Sequence, residues 1–380
     1  MTAPAPLSTL RGAALYVGAL FGPSLLLLPG LAAAAAGPAS ILAWVALLAL
    51  SALLARVFTA LGTPVTASGG VVAYTSAAFG PRAGRAVGWC FLGGVVLGAP
   101  VVCLIGGRYV AVLVGGGRLA GVAAAAVLLL AVLALTLGGA RASSTVQLVL
   151  VCVLIALVVV AVAGSASAAR TANWTPFAPH GIRSIGSAAS VLMLSFVGWE
   201  SIAGLTRRLR DPARQLPRVI TIAFAVTSLI YLALALATIA VLGPAAGSAV
   251  PLSDLLRVAI GPAGPSVAAG CAVVLTLAAT NAYLIGATEL AASLRGKPDT
   301  GRAAGLQWGI GVVGLLVLGG AAAGLADTAQ LVTAPTTLFL LVYLGATAAA
   351  TASCGAAPGW PPPSAVSPWP RSSPSPAPRC

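Results

Sequence analysis

The sequence predicts an all-α polytopic membrane protein of about ten transmembrane helices, arranged as two halves of five helices in which helices one and six are broken. Three observations carry this prediction. First, 59% of the 380 residues are hydrophobic and only 7% are charged, whereas soluble domains carry roughly 25% charged residues. Second, apolar runs of about 20 residues recur, as spanning helices need, without the alternation of an outer-membrane barrel. Third, two of these runs, five spans apart, contain residues that interrupt a helix.

The first five spans are expected within residues 11–164, after a cytoplasmic N-terminus of residues 1–10. Span one follows Arg11 and extends to Ala36, and it contains Phe21-Gly22-Pro23-Ser24. A Gly-Pro pair frees backbone groups that need partners in protein or in a water-filled cavity, so we expect the helix to break there. The other expected elements of this half are spans at 39–61, 83–105, 119–137 and 146–163, with a short amphipathic piece at 71–79.

The second five spans are expected within residues 184–353, after an extracellular connector at 165–183. Span six, residues 185–205, contains Gly198 and Glu200. The other expected elements are spans at 219–242, 267–294, 304–325 and 331–352, and an exit loop after span seven with Pro244, Pro251, Asp254 and Arg257. Residues 354–380 are rich in Pro and Ser and are predicted to be disordered. The abrupt change after Cys354 is expected of a truncated or frame-shifted product.

The arginines indicate the orientation. With both termini in the cytoplasm, fifteen of the 20 Lys and Arg fall on the cytoplasmic side and five on the other, as the positive-inside rule requires. The same asymmetry explains the formal net charge of +14 without a nucleic acid partner. The single histidine and the scattered cysteines predict no metal site and no disulfide framework.

The two interrupted spans predict a binding site. Interrupted helices in corresponding positions of two repeats typically hold a transporter's substrate. Half-helix N-termini offer N–H groups to an anion, and unwound carbonyls can hold a cation or an ammonium group; an amino acid zwitterion needs both. Glu200 adds a carboxylate to an apolar segment, which costs at least about 2.5 kcal/mol. Because burial disfavours the charged form of a carboxylate, Glu200 is a candidate proton carrier; the alternative is a structural carboxylate that accepts from freed backbone N–H groups.

A set of short motifs resembles a known family. The motifs are Leu28-Pro29-Gly30-Leu31-Ala32, Ala67-Ser68-Gly69-Gly70-Val71, Gly139-Ala140-Arg141-Ala142-Ser143-Ser144, Phe196-Val197-Gly198-Trp199-Glu200 and Asp211-Pro212. Between about Leu10 and Ala352 the chain resembles the amino acid–polyamine–organocation superfamily of permeases, and within it the bacterial exporters of methionine and branched-chain amino acids.

This resemblance implies that the two halves form a five-plus-five inverted repeat, and it implies roles for residues at both breaks. It implies that the backbone around the first break holds the substrate carboxylate, that carbonyls at the second break hold the amine, that Trp199 lines the pocket and that Glu200 is a proton-linked switch. The residues in question are Gly22, Pro23, Ser24 and Leu25 at the first break, and Ser195, Phe196, Val197 and Gly198 at the second. Asn281, in the middle of span eight, either lines the pocket or bonds a neighbouring helix.

Three features depart from the family pattern. Relatives usually have a Gly-Ser/Thr-Gly type sequence at the first break, whereas here Pro23 removes one N–H donor, which shifts the carboxylate cradle towards Ser24 and Leu25. Glu289 stands where the family often has Arg. Helices that usually follow the tenth span are replaced by the Pro/Ser-rich tail.

The sequence therefore predicts a secondary active transporter of small neutral or hydrophobic amino acids in a bacterial cytoplasmic membrane, with no cofactor. Proton-coupled efflux by alternating access is the leading hypothesis. The alternatives are uptake by the same fold, a truncated non-functional remnant, and a membrane-embedded transferase. The last is disfavoured because Asp211, Asp254 and Asp327 are scattered among loops. The expected partners are an amino acid, H+ and the lipid bilayer, with homodimerisation left open.

Overall fold

A computed structural model describes residues 8–62, 70–139, 144–196, 198–199, 209–295 and 300–355. Its regular structure there consists of helices. The α-helices are α1 (Thr9–Leu20), α2 (Ser24–Ala36), α3 (Ser40–Gly62), α4 (Gly70–Phe79), α5 (Pro81–Leu113), α6 (Arg118–Leu137), α7 (Ser144–Ser165), α8 (Ser184–Leu192), α9 (Pro212–Leu242), α10 (Pro251–Ile260), α11 (Ala263–Arg295), α12 (Thr300–Ala323) and α13 (Thr328–Gly355). The prediction of an all-α polytopic protein is confirmed.

Eight helical segments within the described ranges are long and apolar enough to cross a membrane. One of them, residues 24–57, combines α2 and most of α3 through a turn of 3-10 helix. Predicted spans one and six do not form continuous helices. Their pieces α1 and α8 contain 12 and 9 residues, whereas crossing a hydrocarbon core takes about 20. The two predicted interruptions are therefore present.

Two helical hairpins occupy matching places in the two halves. In the first half, the ten-residue α4 is followed by Gly80 and the 33-residue α5. In the second half, the ten-residue α10 is followed by Gly261-Pro262 and the 33-residue α11. Both glycines have a positive φ, 87° and 73°, which suits glycine at a sharp turn. The sequence marks both turns with the same dipeptide, Gly-Pro.

The second hairpin corrects one prediction. The exit loop after span seven contains helix α10, which sequence reasoning missed because Pro251 and charged residues were interpreted as loop signals. Pro251 occupies the first turn of α10, where its missing N–H costs nothing. Asp254 lies in the first turn and Arg257 in the last, so each charge complements the helix dipole.

The contacts between helices follow the repeat. In the first half α4 packs on α5 and α13, and in the second half α10 packs on α11 and α7. Likewise α1 packs on α9 and α7, whereas α8 packs on α3 and α13. Each of these contacts of a helix in the first half therefore has a counterpart in the second half, when span one is matched with span six, span two with span seven, and so on. This agreement supports the five-plus-five inverted repeat, while the exact boundaries assigned to the two halves stay predictions.

Hydrogen bonds fix the connector between the two halves to the helices beside it. The Arg170 amide and the Asn173 side chain both donate to the Ala240 carbonyl, at 2.9 and 2.7 Å, and the Ala39 amide donates to the Phe177 carbonyl at 2.8 Å. These bonds hold the connector over the ends of α9 and α3.

The start of α9 explains one of the motifs. Asp211 is the N-cap of α9: its Oδ1 accepts from the Arg214 amide at 3.3 Å, and its own amide donates to Gln215 Oε1 at 3.0 Å. Such reciprocal capping satisfies amides that the first helical turn leaves without partners. Asp211-Pro212 therefore fixes where the seventh span begins, seven residues earlier than predicted.

Candidate functional site

The first break lies between α1 and α2. Helix α1 ends at Leu20, Phe21 leaves the helical region with φ −82° and ψ 55°, and α2 begins at Ser24. The Leu25 and Leu26 amides donate to the carbonyls of Gly22 and Pro23, at 3.1 and 3.0 Å. Because the Leu25 amide is already engaged, an anion at this break would meet the Gly22–Ser24 segment rather than Leu25.

The second break follows α8. A turn of 3-10 helix covers Met193–Phe196, and Gly198 has a φ of 128°, which side-chain-bearing residues rarely adopt. A Cβ at Gly198 would lie 2.5 Å from the Ala19 carbonyl oxygen and 3.2 Å from Leu20 Cα. The second break therefore presses its backbone against the end of α1, so the two breaks meet.

Three tyrosines satisfy carbonyls around this meeting point. The hydroxyl of Tyr231 on α9 donates to the Leu20 carbonyl at 3.3 Å. Tyr16 on α1 donates to the Trp199 carbonyl at 3.2 Å, and Tyr109 on α5 donates to the Leu26 carbonyl at 2.8 Å. A hydrogen bond between helices inside a membrane contributes about 0.5–2 kcal/mol, so these tyrosines stabilise the interrupted backbone.

Aromatic rings pack behind both breaks. Tyr16 meets Trp199 edge to face at a centroid distance of 5.8 Å, and Tyr231 meets Phe21 in the same way at 5.8 Å. Trp44 from α3 stacks on Tyr231 at 5.1 Å. Trp199 is only 2% exposed. The rings fix the orientation of the two hydroxyls that bond the carbonyls.

A small cavity adjoins the first break. Its free volume of about 30 Å³ has room for one or two water molecules, so this conformation is nearly closed. It is lined mainly by apolar atoms of Gly22, Pro23, Ser24, Gly94, Val95, Gly98, Ala99, Val101, Val102, Leu194, Tyr283, Pro335 and Phe339. The walls come from both breaks and from α5, α11 and α13.

Three predicted site residues, Gly22, Pro23 and Ser24, line this cavity. Leu25 is fully buried beside it. The Ser195 hydroxyl donates to the Leu192 carbonyl at 2.7 Å, and Trp199 faces Tyr16. Val197, Glu200 and the Phe196 side chain lie outside the described residues, so their predicted roles stay predictions.

Asn281 lies on a different side of α11. It is buried, and its Oδ1 accepts from the Thr136 hydroxyl of α6 at 2.9 Å. Of the two predicted roles, the structure provides the helix-to-helix bond. Tyr283, two residues later, reaches the cavity instead, and its hydroxyl lies 3.7 Å from where a Cβ of Gly22 would be.

Sequence reasoning missed the cavity residues of α5, α11 and α13. Two signals were available. Gly94 and Gly98 lie one turn apart in span three, and Pro335 lies inside span ten, where a proline frees a carbonyl that needs another partner. Tyr283 and Phe339 carry no comparable signal, because aromatic residues are common in apolar spans.

Comparisons with known proteins agree with this architecture. The family model described as "Amino acid permease" matches residues 7–295. The chain is 28% identical over 286 residues to the uncharacterized amino acid permease YecA of Bacillus subtilis, covering 75% of this chain and 68% of that protein. It is 32% identical over 228 residues to the L-methionine/branched-chain amino acid exporter YjeH of Escherichia coli, covering 58% and 53%.

A third relative is the branched-chain amino acid permease BcaP of Bacillus subtilis, which is 26% identical over 236 residues, 57% of this chain and 50% of that protein. The chain thus spans about two thirds of the first of these relatives and about half of the other two.

Proposed function

The chain belongs to the amino acid permease family, and from that premise we propose that it transports small neutral or hydrophobic amino acids, exporting them in exchange for protons. The observation that carries the proposal is the cavity where the two helix breaks meet, lined by Gly22, Pro23, Ser24 and Leu194. Alternating access would open this site to one side of the membrane at a time.

The cavity wall supports a substrate with an uncharged side chain. Val95, Ala99 and Phe339 supply apolar surface, and no Asp, Glu, Lys, Arg or His is among the described residues that line the cavity. The substrate carboxylate would bind the backbone and hydroxyl around Gly22–Ser24, and the amine would bind carbonyls of Ser195–Val197. In this scheme opening of the cavity accompanies substrate entry, because 30 Å³ is too small for an amino acid.

The tyrosine bonds favour protons over a metal cation as the coupling ion. A sodium ion at a helix break is typically held by unwound carbonyls. Here the Leu20 and Trp199 carbonyls accept hydrogen bonds from Tyr231 and Tyr16. Glu200, beside Trp199 in the chain, is the group we propose to carry the proton.

Of the relatives YjeH and BcaP, one has a name that states a direction of transport. Escherichia coli YjeH is named as an exporter, whereas Bacillus subtilis BcaP is named as a permease. We favour efflux because the motif that follows the first break and the motif at the second break resemble the exporters. The same proposal places the chain in a bacterial cytoplasmic membrane with both termini inside, since the arginine-rich loops then lie in the cytoplasm.

Counterflow in proteoliposomes tests this proposal. Liposomes loaded with unlabelled leucine are expected to accumulate labelled leucine or methionine but not lysine or glutamate, faster when a pH gradient is imposed. Glu200→Gln should abolish the response to the pH gradient and leave exchange at equal pH. Glu289→Gln is the matched control, because Glu289 is exposed.

Failure of a folded protein to exchange any neutral amino acid would contradict the proposed substrate class. A response to pH that survives in Glu200→Gln would contradict only the role of Glu200.

A further inference from the structure

A second, larger cavity of about 360 Å³ lies apart from the helix breaks. It is bounded by the C-terminal end of α5, the start of α6 and the turn that precedes α13. Its charged lining residues are Arg108, Arg118 and Asp327, and its apolar wall includes Leu104, Val122 and Leu331. We call it the Arg108 cavity. In the predicted orientation it opens on the side of the membrane opposite the cytoplasm.

The two guanidinium groups in this cavity bond neutral oxygens. Arg108, which is half-buried, donates to the Thr328 hydroxyl. Arg118 donates to the Ala322 carbonyl at 3.1 Å. A guanidinium has five N–H donors, so each group keeps donors beyond these bonds. A half-buried cation bonded only to neutral partners favours an anion nearby.

Asp327 lines the same cavity without pairing with either arginine. Its Oδ1 accepts from the Gln330 amide at 2.7 Å and caps α13, which uses one of the two carboxylate oxygens. Although all three charged residues belong to the described part of the chain, neither guanidinium lies within 4.0 Å of the Asp327 carboxylate. Opposite charges around one cavity that do not meet can be bridged by a molecule carrying both.

We propose that the Arg108 cavity binds a zwitterion that has an anionic group, a primary ammonium group and an apolar part. The anionic group accepts from Arg108, with Arg118 adding positive charge, because guanidinium binds carboxylate and phosphate oxygens bidentately. The ammonium group donates to Asp327, and the apolar part contacts the Leu104, Val122 and Leu331 wall.

Two molecules share this chemistry. One is a free α-amino acid, with a carboxylate and an ammonium group. The other is phosphatidylethanolamine, whose headgroup has a phosphate and an ammonium group and whose acyl chains would continue into the bilayer. The inference concerns a site separate from the central cavity and does not depend on transport.

The lipid source is tested by native mass spectrometry of the full chain from membranes of equal phosphatidylethanolamine and phosphatidylcholine content. Phosphatidylcholine is the matched ligand, because its quaternary ammonium has no N–H to donate to Asp327. We expect wild type to retain phosphatidylethanolamine preferentially and Asp327→Asn to reduce that preference roughly tenfold. Arg108→Gln should reduce retention of both lipids, because both carry the phosphate that Arg108 binds. Asn at position 327 preserves the helix cap, so this variant separates binding from folding.

The amino acid source is tested by binding of labelled leucine in nanodiscs of phosphatidylcholine alone. Leucine binding that Arg108→Gln or Asp327→Asn removes belongs to the Arg108 cavity, and binding that both variants retain belongs elsewhere. Arg257→Gln is the control, because Arg257 is exposed on α10 and does not line the cavity. The proposal is overturned if both variants bind the lipid and leucine as well as wild type does. It is also overturned if Arg257→Gln loses as much binding as the two variants do.

Discussion

The two helix breaks look alike in the sequence and differ in what their glycines do. At the second break, a Cβ on Gly198 would overlap the Ala19 carbonyl at 2.5 Å, and φ is 128°. At the first break, a Cβ on Gly22 would meet, among the described residues, only the Ser24 and Tyr283 hydroxyls, each at 3.7 Å, which is ordinary contact. Gly198 is thus needed for backbone packing, whereas Gly22 leaves space beside the cavity. Gly198 therefore has a structural role, whereas Gly22 can take part in the function of the cavity.

The largest effect is expected from Gly198→Ala. The new methyl group meets the α1 backbone and the residue is forced into a strained conformation, so we expect destabilisation by about 2–4 kcal/mol. Thermal unfolding in detergent measures it. Gly186→Ala is the control, because no atom of the described part of the chain lies within 4 Å of a Cβ there. Equal unfolding temperatures for the two variants would contradict the close approach of the breaks.

An intermediate effect is expected from removing the tyrosine hydroxyls one at a time. Tyr231→Phe leaves the Leu20 carbonyl without its bond, and Tyr16→Phe does the same to the Trp199 carbonyl. Each variant should lose about 0.5–2 kcal/mol of stability, by the same unfolding measurement. Similar losses would show that both breaks depend equally on their tyrosines; a loss confined to one variant would make that break the more dependent.

A small effect on stability, with a larger one on transport, is expected from Gly22→Ala. The methyl group fits without overlap, so unfolding should change by less than about 1 kcal/mol. It also narrows the cavity between Ser24 and Tyr283, so the KM for leucine exchange should rise several-fold. A loss of stability as large as that of Gly198→Ala would contradict the distinction between the two breaks.

No effect is expected from replacing sodium by choline in the transport assay, since tyrosine hydroxyls bond a carbonyl at each break. Labelled leucine exchange at equal pH should proceed at the same rate in both salts. A rate that falls without sodium would mean that other carbonyls at the breaks hold the cation.

Apolar runs predicted most helices because burial in a bilayer requires about 20 apolar residues whatever their neighbours are. They failed at α10, where ten residues with proline and two charges form a helix that packs on α7 and α11. Its stability comes mainly from that packing, as for short helices in general, so its own composition does not reveal it.

The site was predicted in part, for a geometric reason. A helix break depends on the local sequence, so Gly22-Pro23-Ser24 predicts the first break without information from the rest of the chain. What each face of a helix contacts does not depend on local sequence. Asn281 and Tyr283 are two residues apart on α11, which places them on roughly opposite faces of the helix. Only packing decided that Tyr283 reaches the cavity and Asn281 bonds Thr136.

By itself the sequence determined the membrane class, most of the spans and the two places where a helix must break, because these depend on local hydrophobicity and backbone chemistry. The tertiary structure decided that the breaks touch through Gly198, that tyrosines from α1 and α9 satisfy their carbonyls, and that Arg108 and Asp327 line one cavity without pairing. Those arrangements join residues about 180 to 220 positions apart, and only the packing of helices brings such residues together.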